Sequence, residues 1–216
     1  MNKKSLFIGV IAVFALTFVA AVTLFNSDKA TKETAFFNKN ASSLERASAP
    51  FKGARDAKVT IVEFFDPACG TCKNFYPMVN DLIKKYPGKV KLMMRYAPLH
   101  QGSDQVVKLL EAANMQGQFW PALETLYANQ NSWVTNHVSQ PNRARVVIRG
   151  LGLNSEKFSA DLRSIELVKA INQDITDGKT LNVRATPEFF VNGKPMPSFG
   201  YQQLTDLVEE AIAQQY

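Results

Sequence analysis

The chain has 216 residues, of which 46% are hydrophobic and 20% are charged, and its formal net charge is +6. This balance is typical of a globular protein and excludes a wholly disordered chain, a collagen-like repeat and a polytopic membrane protein. Only two cysteines occur, Cys69 and Cys72, so a multi-bridge disulfide scaffold and a four-thiolate zinc site within one chain are also excluded. The densest basic cluster is too small for a nucleic-acid surface and is interpreted as a solvated helix face; it consists of Arg143, Arg145 and Arg149.

The chain begins with a basic pair, Lys3 and Lys4, followed by an uncharged apolar run from Ser5 to Phe25. About 20 apolar residues are needed for a spanning helix, whereas a secretory signal has a shorter apolar core that is followed by small residues. The run therefore predicts an uncleaved signal-anchor over residues 1–25, with cleavage after Ala21 as the alternative. In both cases the lysines stay on the cytoplasmic side and the rest of the chain is exported.

The exported part is predicted to be a polar tether over residues 26–49 and an α/β domain over residues 50–216. A β-branched and aromatic run at Val59–Phe65 predicts a buried strand, which is ended by an Asp-Pro-Ala sequence. A helix should follow from about Cys69 to Tyr86, and a second strand from Lys89 to Tyr96. Strand, helix and strand form a βαβ unit, which implies a parallel pair of strands.

Helical spacing then dominates from Ser103, a plausible N-cap, to Gly178, and it predicts a helical insertion over residues of about 100–180. Strand signals return at Glu188–Val191, before an Asn-Gly pair that is the strongest short hairpin signal. The return strand, Lys194–Phe199, contains two prolines, which favour an edge position. A final amphipathic helix is predicted over Leu204–Ala213. The order is β-α-β, helical insertion, β-hairpin, α.

The cysteine pair lies where the first strand gives way to the first helix of the domain. Two thiols at positions i and i+3 of a helical first turn share one face and can close a disulfide. A helix N-terminus favours an anion, so the thiolate of Cys69 gains stability there. Cys69 is at the more exposed end of the turn and is predicted to attack, and Cys72 is predicted to resolve the mixed disulfide. The intervening residues of the redox motif, Gly70 and Thr71, add no charge.

Other interpretations of the same residues stay open at this point. The pair could be an inert structural bridge, or it could hold a soft metal such as Cu(I) or zinc through its two thiolates. His100 is interpreted as a loop or core residue rather than a catalytic one, and His137 as a solvated side chain, so no metal site is predicted.

Two segments of the sequence resemble a known family. VTIVEFFDPACGTCKNFYP, followed far downstream by RATPEFFVNGK, is similar to the exported DsbA-like thiol–disulfide oxidoreductases of the thioredoxin superfamily. The resemblance covers residues of about 50–216 and implies a thioredoxin-like fold interrupted by a helical domain. It also implies the kind of function: exchange of disulfides with protein substrates, without a bound cofactor, in the bacterial cell envelope.

The resemblance assigns further residues by position. Pro77 matches the proline inside the first helix, and Thr186 with Pro187 matches the segment whose proline is cis in the family. A cis bond would place the Thr186 backbone beside Cys69, where it could pair with a substrate strand; a trans proline at a strand start is the alternative. Glu63 matches a buried acid beneath the redox pair, with a proposed role in proton exchange with Cys72. An acid that reaches solvent at a strand edge is the alternative.

One departure concerns the residues between the cysteines. The strongly oxidising DsbA has Pro-His there, and its His helps to stabilise the thiolate, whereas this chain has Gly70 and Thr71. A less oxidising pair is therefore expected, which leaves the oxidase, isomerase and reductase directions open. The predicted partners are protein thiols and disulfides, a membrane redox protein and the inner membrane, which the N-terminal helix would anchor with the domain facing the periplasm. A Cu(I)-handling module and a redox-inert peptide-binding domain are the alternative functions.

Overall fold

The computed structural model describes the backbone of residues 3–216 and the side chains of residues 13–28, 31–32, 35–36 and 39–216. Contacts divide the chain into two units, of which the first ends at Lys39 and the second is Asn40–Tyr216. The first unit is one helix, α1 (Lys3–Lys39).

The predicted N-terminal helix is therefore present in the first unit. In the part of the chain that the structure describes, no helix has an apolar stretch long enough to cross a membrane. The side chains of residues 1–12, which include Lys3 and Lys4 and the start of the predicted signal-anchor, lie outside the described residues.

The segment predicted as a polar tether, residues 26–49, differs from that prediction. Its first part continues helix α1, and a short helix, α2 (Ala41–Leu44), follows. Leu44 is only 3% exposed, and Arg46 pairs with Asp177 at 2.7 Å. The second half of the segment is therefore packed into the second unit by contacts with residues far along the chain, and the ordered domain begins about ten residues earlier than predicted.

The second unit contains a five-stranded mixed sheet with helices around it. In chain order, the elements after α2 are β1 (Phe51–Gly53), β2 (Val59–Phe65), α3 (Gly70–Lys85), β3 (Val90–Tyr96), α4 (Ser103–Asn114), α5 (Phe119–Ala128), α6 (Gln130–Trp133), β4 (Val134–Thr135), β5 (Val138–Ser139), α7 (Pro141–Val147), a 3₁₀ turn (Ile148–Leu151), α8 (Ser155–Asp161), α9 (Ile165–Thr180), β6 (Glu188–Val191), β7 (Lys194–Pro195) and α10 (Tyr201–Gln215). The strand order in the main sheet is β1-β3-β2-β6-β7. Strands β2 and β3 are parallel, and the other neighbours are antiparallel.

The predicted thioredoxin-like order is confirmed. Strand β2 has the predicted bounds, and all seven of its residues are buried because it lies in the centre of the sheet between β3 and β6. Helix α3 presents one apolar face to the sheet at helical spacing, and Pro77 lies inside this helix on its exposed side. The buried residues on that face are Cys72, Phe75, Tyr76, Val79 and Leu82.

Some predicted boundaries differ for identifiable reasons. The return strand β7 is only two residues long and lies at the sheet edge, because Pro195 and Pro197 have no backbone N–H to continue the ladder. Helix α4 is capped by Gly102 at a φ of 77°, and not by Ser103, whose hydroxyl binds elsewhere. Helix α6 and the small hairpin β4–β5 were not predicted at all.

Candidate active site

The two cysteines lie at the start of helix α3, a few residues after the end of the central strand β2. Cys69 is the N-cap residue, with extended backbone angles, and its sulfur accepts the backbone N–H of Cys72 at 3.4 Å. Both cysteines are free thiols. Cys69 is 5% exposed and Cys72 is 0% exposed, so the predicted difference in accessibility has the predicted direction but is small.

The site stabilises the thiolate of Cys69 and disfavours that of Cys72. The pKa of Cys69 is lowered to about 5, mainly because the Cys72 thiol donates to it, and the backbone N–H groups of Cys72 and Thr71 contribute against the opposing effect of burial. The pKa of Cys72 is raised well above its usual value by burial, and the nearby Cys69 and Glu63 raise it further. At neutral pH the pair therefore consists of one thiolate and one thiol, with Cys69 as the nucleophile.

We expect reduced Cys69 to react with iodoacetamide with a midpoint near pH 5, because the thiolate is the reacting form. Cys72→Ser keeps a hydroxyl donor and should leave the midpoint within about half a unit, whereas Cys72→Ala removes the largest stabilising contact and should raise it by about one unit or more. A midpoint near the ordinary cysteine value of about 8.5 would contradict this assignment.

Glu63 lies on central strand β2, on the face that carries the apolar contacts with α3. It is 0% exposed, and neither of its carboxyl oxygens has a hydrogen-bond partner. Burial raises its pKa well above the usual range, and the charge of Cys69 raises it further. The alternative of an acid that reaches solvent at a strand edge is therefore wrong for Glu63, which is fully buried on a central strand.

The loop before strand β6 brings Thr186 and Pro187 to the cysteines. The Thr186–Pro187 peptide bond is cis, which confirms this part of the expectation and excludes the trans alternative. The Cys69 sulfur lies 3.2 Å from the Thr186 carbonyl oxygen, to which it can donate only in its protonated form. An open groove of about 370 Å³ begins here. It is lined by Thr71, Ala185, Thr186, Pro187, Glu188, Phe189, Met196 and Phe199.

In the sequence Asp66 only marks the end of strand β2, yet this residue holds together the turn that precedes Cys69. Its side chain is fully buried and accepts backbone N–H groups from Ala68, Leu99 and His100 at 2.7–2.8 Å. It also accepts the Ser103 hydroxyl at 2.8 Å and lies 2.9 Å from Nδ1 of His100. The sequence signal that could have indicated this role is the position of an acidic residue immediately after a continuous buried strand. The partners Leu99, His100 and Ser103 were not predictable because they lie more than 30 positions downstream.

The two histidines lie close together but outside the redox pair. His100 binds Asp66 from the loop before α4, which agrees with a structural role, and its ring stacks on the exposed ring of His137 with centroids 6.1 Å apart. Among the described residues, no group of three or more His, Cys, Asp or Glu side chains is arranged to hold a metal ion.

Comparisons with known proteins agree with the fold. A family model described as Thioredoxin matches residues 45–210. Among curated proteins, the Na(+)/H(+) antiporter NhaA of Herminiimonas arsenicoxydans is 28% identical over 159 residues, which are 73% of this chain and 25% of the antiporter. This chain therefore spans about a quarter of the length of the curated relatives that it matches.

Two solved structures of similar fold are matched by this chain over nearly the whole length of the solved proteins. The crystal structure of a thioredoxin-like oxidoreductase from Silicibacter pomeroyi is 29% identical with a TM-score of 0.67, and the match covers 78% of this chain and 95% of that chain. BdbD from Bacillus subtilis, in its oxidised form, is 25% identical with a TM-score of 0.64, and the match covers 77% of this chain and 94% of that chain.

Proposed function

The chain belongs to the thioredoxin family and within it resembles the DsbA-like oxidoreductases; from this premise we propose that it exchanges disulfides with protein substrates outside the cytoplasm. The observation that carries the proposal is the pairing of a Cys69 thiolate, with a pKa of about 5, and a buried Cys72 thiol, with a raised pKa, at the start of one helix. One sulfur is ready to attack, and the other is held protonated until it is needed.

In this proposal each residue of the site has a defined part. The Cys69 thiolate attacks a client disulfide, so that a Cys69–client bond forms, the client bond breaks and one client thiolate leaves. Glu63 takes the proton of Cys72, and the resulting thiolate attacks the Cys69 sulfur and releases the second client thiolate. The client gains two electrons and the cysteine pair loses two. The reverse sequence oxidises a client dithiol.

The backbone of Thr186, beside the Cys69 sulfur, is the proposed contact for the client chain. Its carbonyl oxygen lies 3.2 Å from that sulfur, and the peptide bond from Thr186 to Pro187 is cis. An extended client segment could pair with this backbone while its sulfur reaches Cys69. The adjoining groove is bordered by Phe199, which is 58% exposed. This groove would suit an apolar side chain of the client.

The thiolate pKa bears on the direction of electron flow. A lower pKa stabilises the reduced protein and makes the disulfide more oxidising, and the value of about 5 lies between about 7 for thioredoxin and about 3.5 for DsbA. We therefore expect the pair to be more oxidising than thioredoxin, whose potential is about −270 mV, and less so than DsbA, at about −120 mV, and equilibration with glutathione measures this. The donors that lower the pKa here are the Cys72 side chain and backbone amides, so the absence of a histidine between the cysteines is partly offset.

The proposed location follows from the N-terminal residues. Lys3 and Lys4 before the apolar run support export of the domain and either retention in the inner membrane or release after cleavage. A membrane redox protein would then restore the cysteine pair after each exchange. The antiport named for the curated relatives belongs to proteins about four times as long as the match and is not part of this proposal.

The experiment that tests the function is a mixed-disulfide trap with Cys72→Ser. Without the resolving thiol, Cys69 should remain bound to client proteins through disulfides that a reductant releases, and the clients should be cysteine-containing proteins of the cell envelope. The control is the double variant with both cysteines replaced by serine, which should trap nothing.

Two outcomes would oppose the proposal. If Cys72→Ser traps no client although its Cys69 reacts with iodoacetamide, the pair is better described as part of a redox-inert docking domain. If reduced protein holds Cu(I) against a strong chelator through both thiolates, a metal-handling role gains support instead.

A further inference from the structure

Residues 66–69, which join strand β2 to helix α3, form a buried turn that ends at the nucleophile; we call it the redox turn. The Cys69 N–H donates to the Asp66 carbonyl at 3.0 Å, and the Asp66 carboxylate accepts the Ala68 N–H at 2.8 Å. Asp66 and Ala68 are 0% and 4% exposed. Because Cys69 is the last residue of this turn, any shift of the turn also moves the attacking sulfur.

The first segment of the helical insertion holds the start of the redox turn. The Asp66 carboxylate accepts two backbone N–H groups of the loop before α4 and the hydroxyl of the first residue of that helix. The donors are Leu99 at 2.7 Å, His100 at 2.8 Å and Ser103 at 2.8 Å. The next residue, Pro67, has no N–H, so its buried carbonyl is its only hydrogen-bonding group and needs a donor of its own.

That donor comes from a second segment of the insertion, helix α6. Gln130, its first residue, is 6% exposed, and its Nε2 donates to the Pro67 carbonyl at 3.0 Å. The same short helix ends at Trp133, which is 0% exposed and whose Nε1 donates to the Leu126 carbonyl at 2.9 Å. Helix α6 is therefore anchored within the insertion, and it presents the Gln130 amide to the redox turn from a fixed position.

The surroundings of the Cys69 sulfur depend on where the redox turn places it. The sulfur accepts the Cys72 N–H at 3.4 Å and lies 3.2 Å from the Thr186 carbonyl oxygen. Hydrogen bonds weaken steeply when their length or angle departs from the optimum. A turn that could shift would therefore stabilise the thiolate less, because the sulfur would meet the N–H groups at the start of α3 less directly.

We propose that Gln130 is a positioning residue for Cys69, and that its amide, by holding the Pro67 carbonyl, keeps the sulfur aligned with the N–H groups at the start of α3. This inference rests on the proposed function and deepens it, because it gives the helical insertion a part in the reactivity of the nucleophile. Gln130 is uncharged and makes no bond to the client, so the steps of the exchange stay as described above.

The first measurement is the pH dependence of iodoacetamide alkylation of Cys69 in Gln130→Met. Methionine keeps the length of the side chain and its neutrality but removes the donor. We expect the alkylation midpoint, near pH 5 in the wild type, to rise by about half a unit to one unit, which is a 3- to 10-fold smaller ionisation constant. Because neither side chain is charged, the shift cannot come from an altered charge.

A second variant keeps the inference testable if Gln130→Met fails to fold. Gln130→Asn keeps the amide but shortens the side chain by one methylene, so the amide no longer reaches the Pro67 carbonyl. It should raise the alkylation midpoint of Cys69 in the same direction and by a similar amount.

The second measurement is the rate at which reduced protein attacks glutathione disulfide. In Gln130→Met this rate should fall about 3- to 10-fold at pH 4, where the thiolate fraction limits it. At pH 7 it should stay within about 2-fold of the wild type, because Cys69 is ionised in both proteins. A variant that was merely less stable would not move the pH profile in this way.

Tyr96→Phe is the matched control. Tyr96 is 2% exposed, and its hydroxyl donates to Glu111 at 2.9 Å, so this variant also loses one buried hydrogen bond, but one that does not hold the redox turn. It should leave the alkylation midpoint of Cys69 within about 0.2 units of the wild type. Urea unfolding of both variants shows how much stability each has lost.

Two results would overturn the inference. An unchanged midpoint in folded Gln130→Met would show that this side chain only packs, and an equal rise in Tyr96→Phe would show that any loss of a buried bond loosens the site. The alkylation needs no client, so it decides the role of Gln130 even if the wild-type protein proves unable to exchange disulfides. That last outcome would count against the proposed function alone.

Discussion

Replacing Cys69 with serine is expected to lower the rate of thiol–disulfide exchange by at least about 10³-fold. Serine has no accessible anionic form at neutral pH, and the remaining thiol cannot take over the attack. Cys72 is 0% exposed, and its raised pKa keeps it protonated. The measurement is the stopped-flow reaction of reduced protein with a fluorescent disulfide-linked peptide.

The matched control for this prediction is Cys72→Ser. It should keep the first attack close to the wild-type rate, because Cys69 and its donors remain, but it should stop after one turnover with the peptide bound. A Cys69→Ser protein with more than about a tenth of the wild-type rate would show that the roles of the two sulfurs are assigned incorrectly.

Replacing Arg95 with leucine is expected to lower the free energy of unfolding by about 3–5 kcal/mol. Arg95 is fully buried and donates to Asp174 at 2.8 Å, to Asp177 at 2.6 Å and to the carbonyls of Ser43 and Leu44 at 2.9 and 2.6 Å. Leucine would leave the buried Asp174 without its cation and both carbonyls without a donor. Urea denaturation followed by tryptophan fluorescence measures the change.

Arg145→Leu provides the comparison on the surface. Arg145 is exposed and only lies over the ring of Phe158, 5.8 Å from its centroid, so this change should stay within about 0.5 kcal/mol. A loss below about 1 kcal/mol for Arg95→Leu would contradict the importance of the buried network.

Arg95→Leu should also make residues 40–49 accessible to a protease, because the arginine donates to the carbonyls of Ser43 and Leu44 and the variant loses both hydrogen bonds.

The βαβ unit and the redox motif could be predicted because their signals are local. Strand β2 is a continuous β-branched and aromatic run, and its C-terminal end is marked by an Asp-Pro pair, shortly before a capped helix begins. The motif lies entirely within one strand–helix junction, so spacing alone brings Cys69 and Cys72 together. The Asn-Gly pair after β6 likewise sets the hairpin within a few residues.

The parts that were missed depend on partners distant in the chain. In the sequence, Asp66 and Arg95 are ordinary polar residues. The hydrogen-bond partners of Asp66 lie 33–37 positions along the chain, and the carboxylates that pair with Arg95 lie 79 and 82 positions along it. The segment of residues 40–49 has a polar composition typical of a linker, and only the burial of Leu44 and the Arg46–Asp177 pair make it part of the domain.

The two edges of the sheet bear on the proposed exchange with protein clients. Edge strand β1 has three residues and edge strand β7 has two, one of them Pro195. At the end of β1, Gly53 lies so close to the neighbouring strand that a Cβ added to it would be 2.6 Å from the Val90 carbonyl oxygen. Short edges, one of which contains proline, offer an extended segment few free backbone groups, which disfavours templated aggregation. Clients could thus be held beside Cys69 without being recruited into the sheet as extra strands.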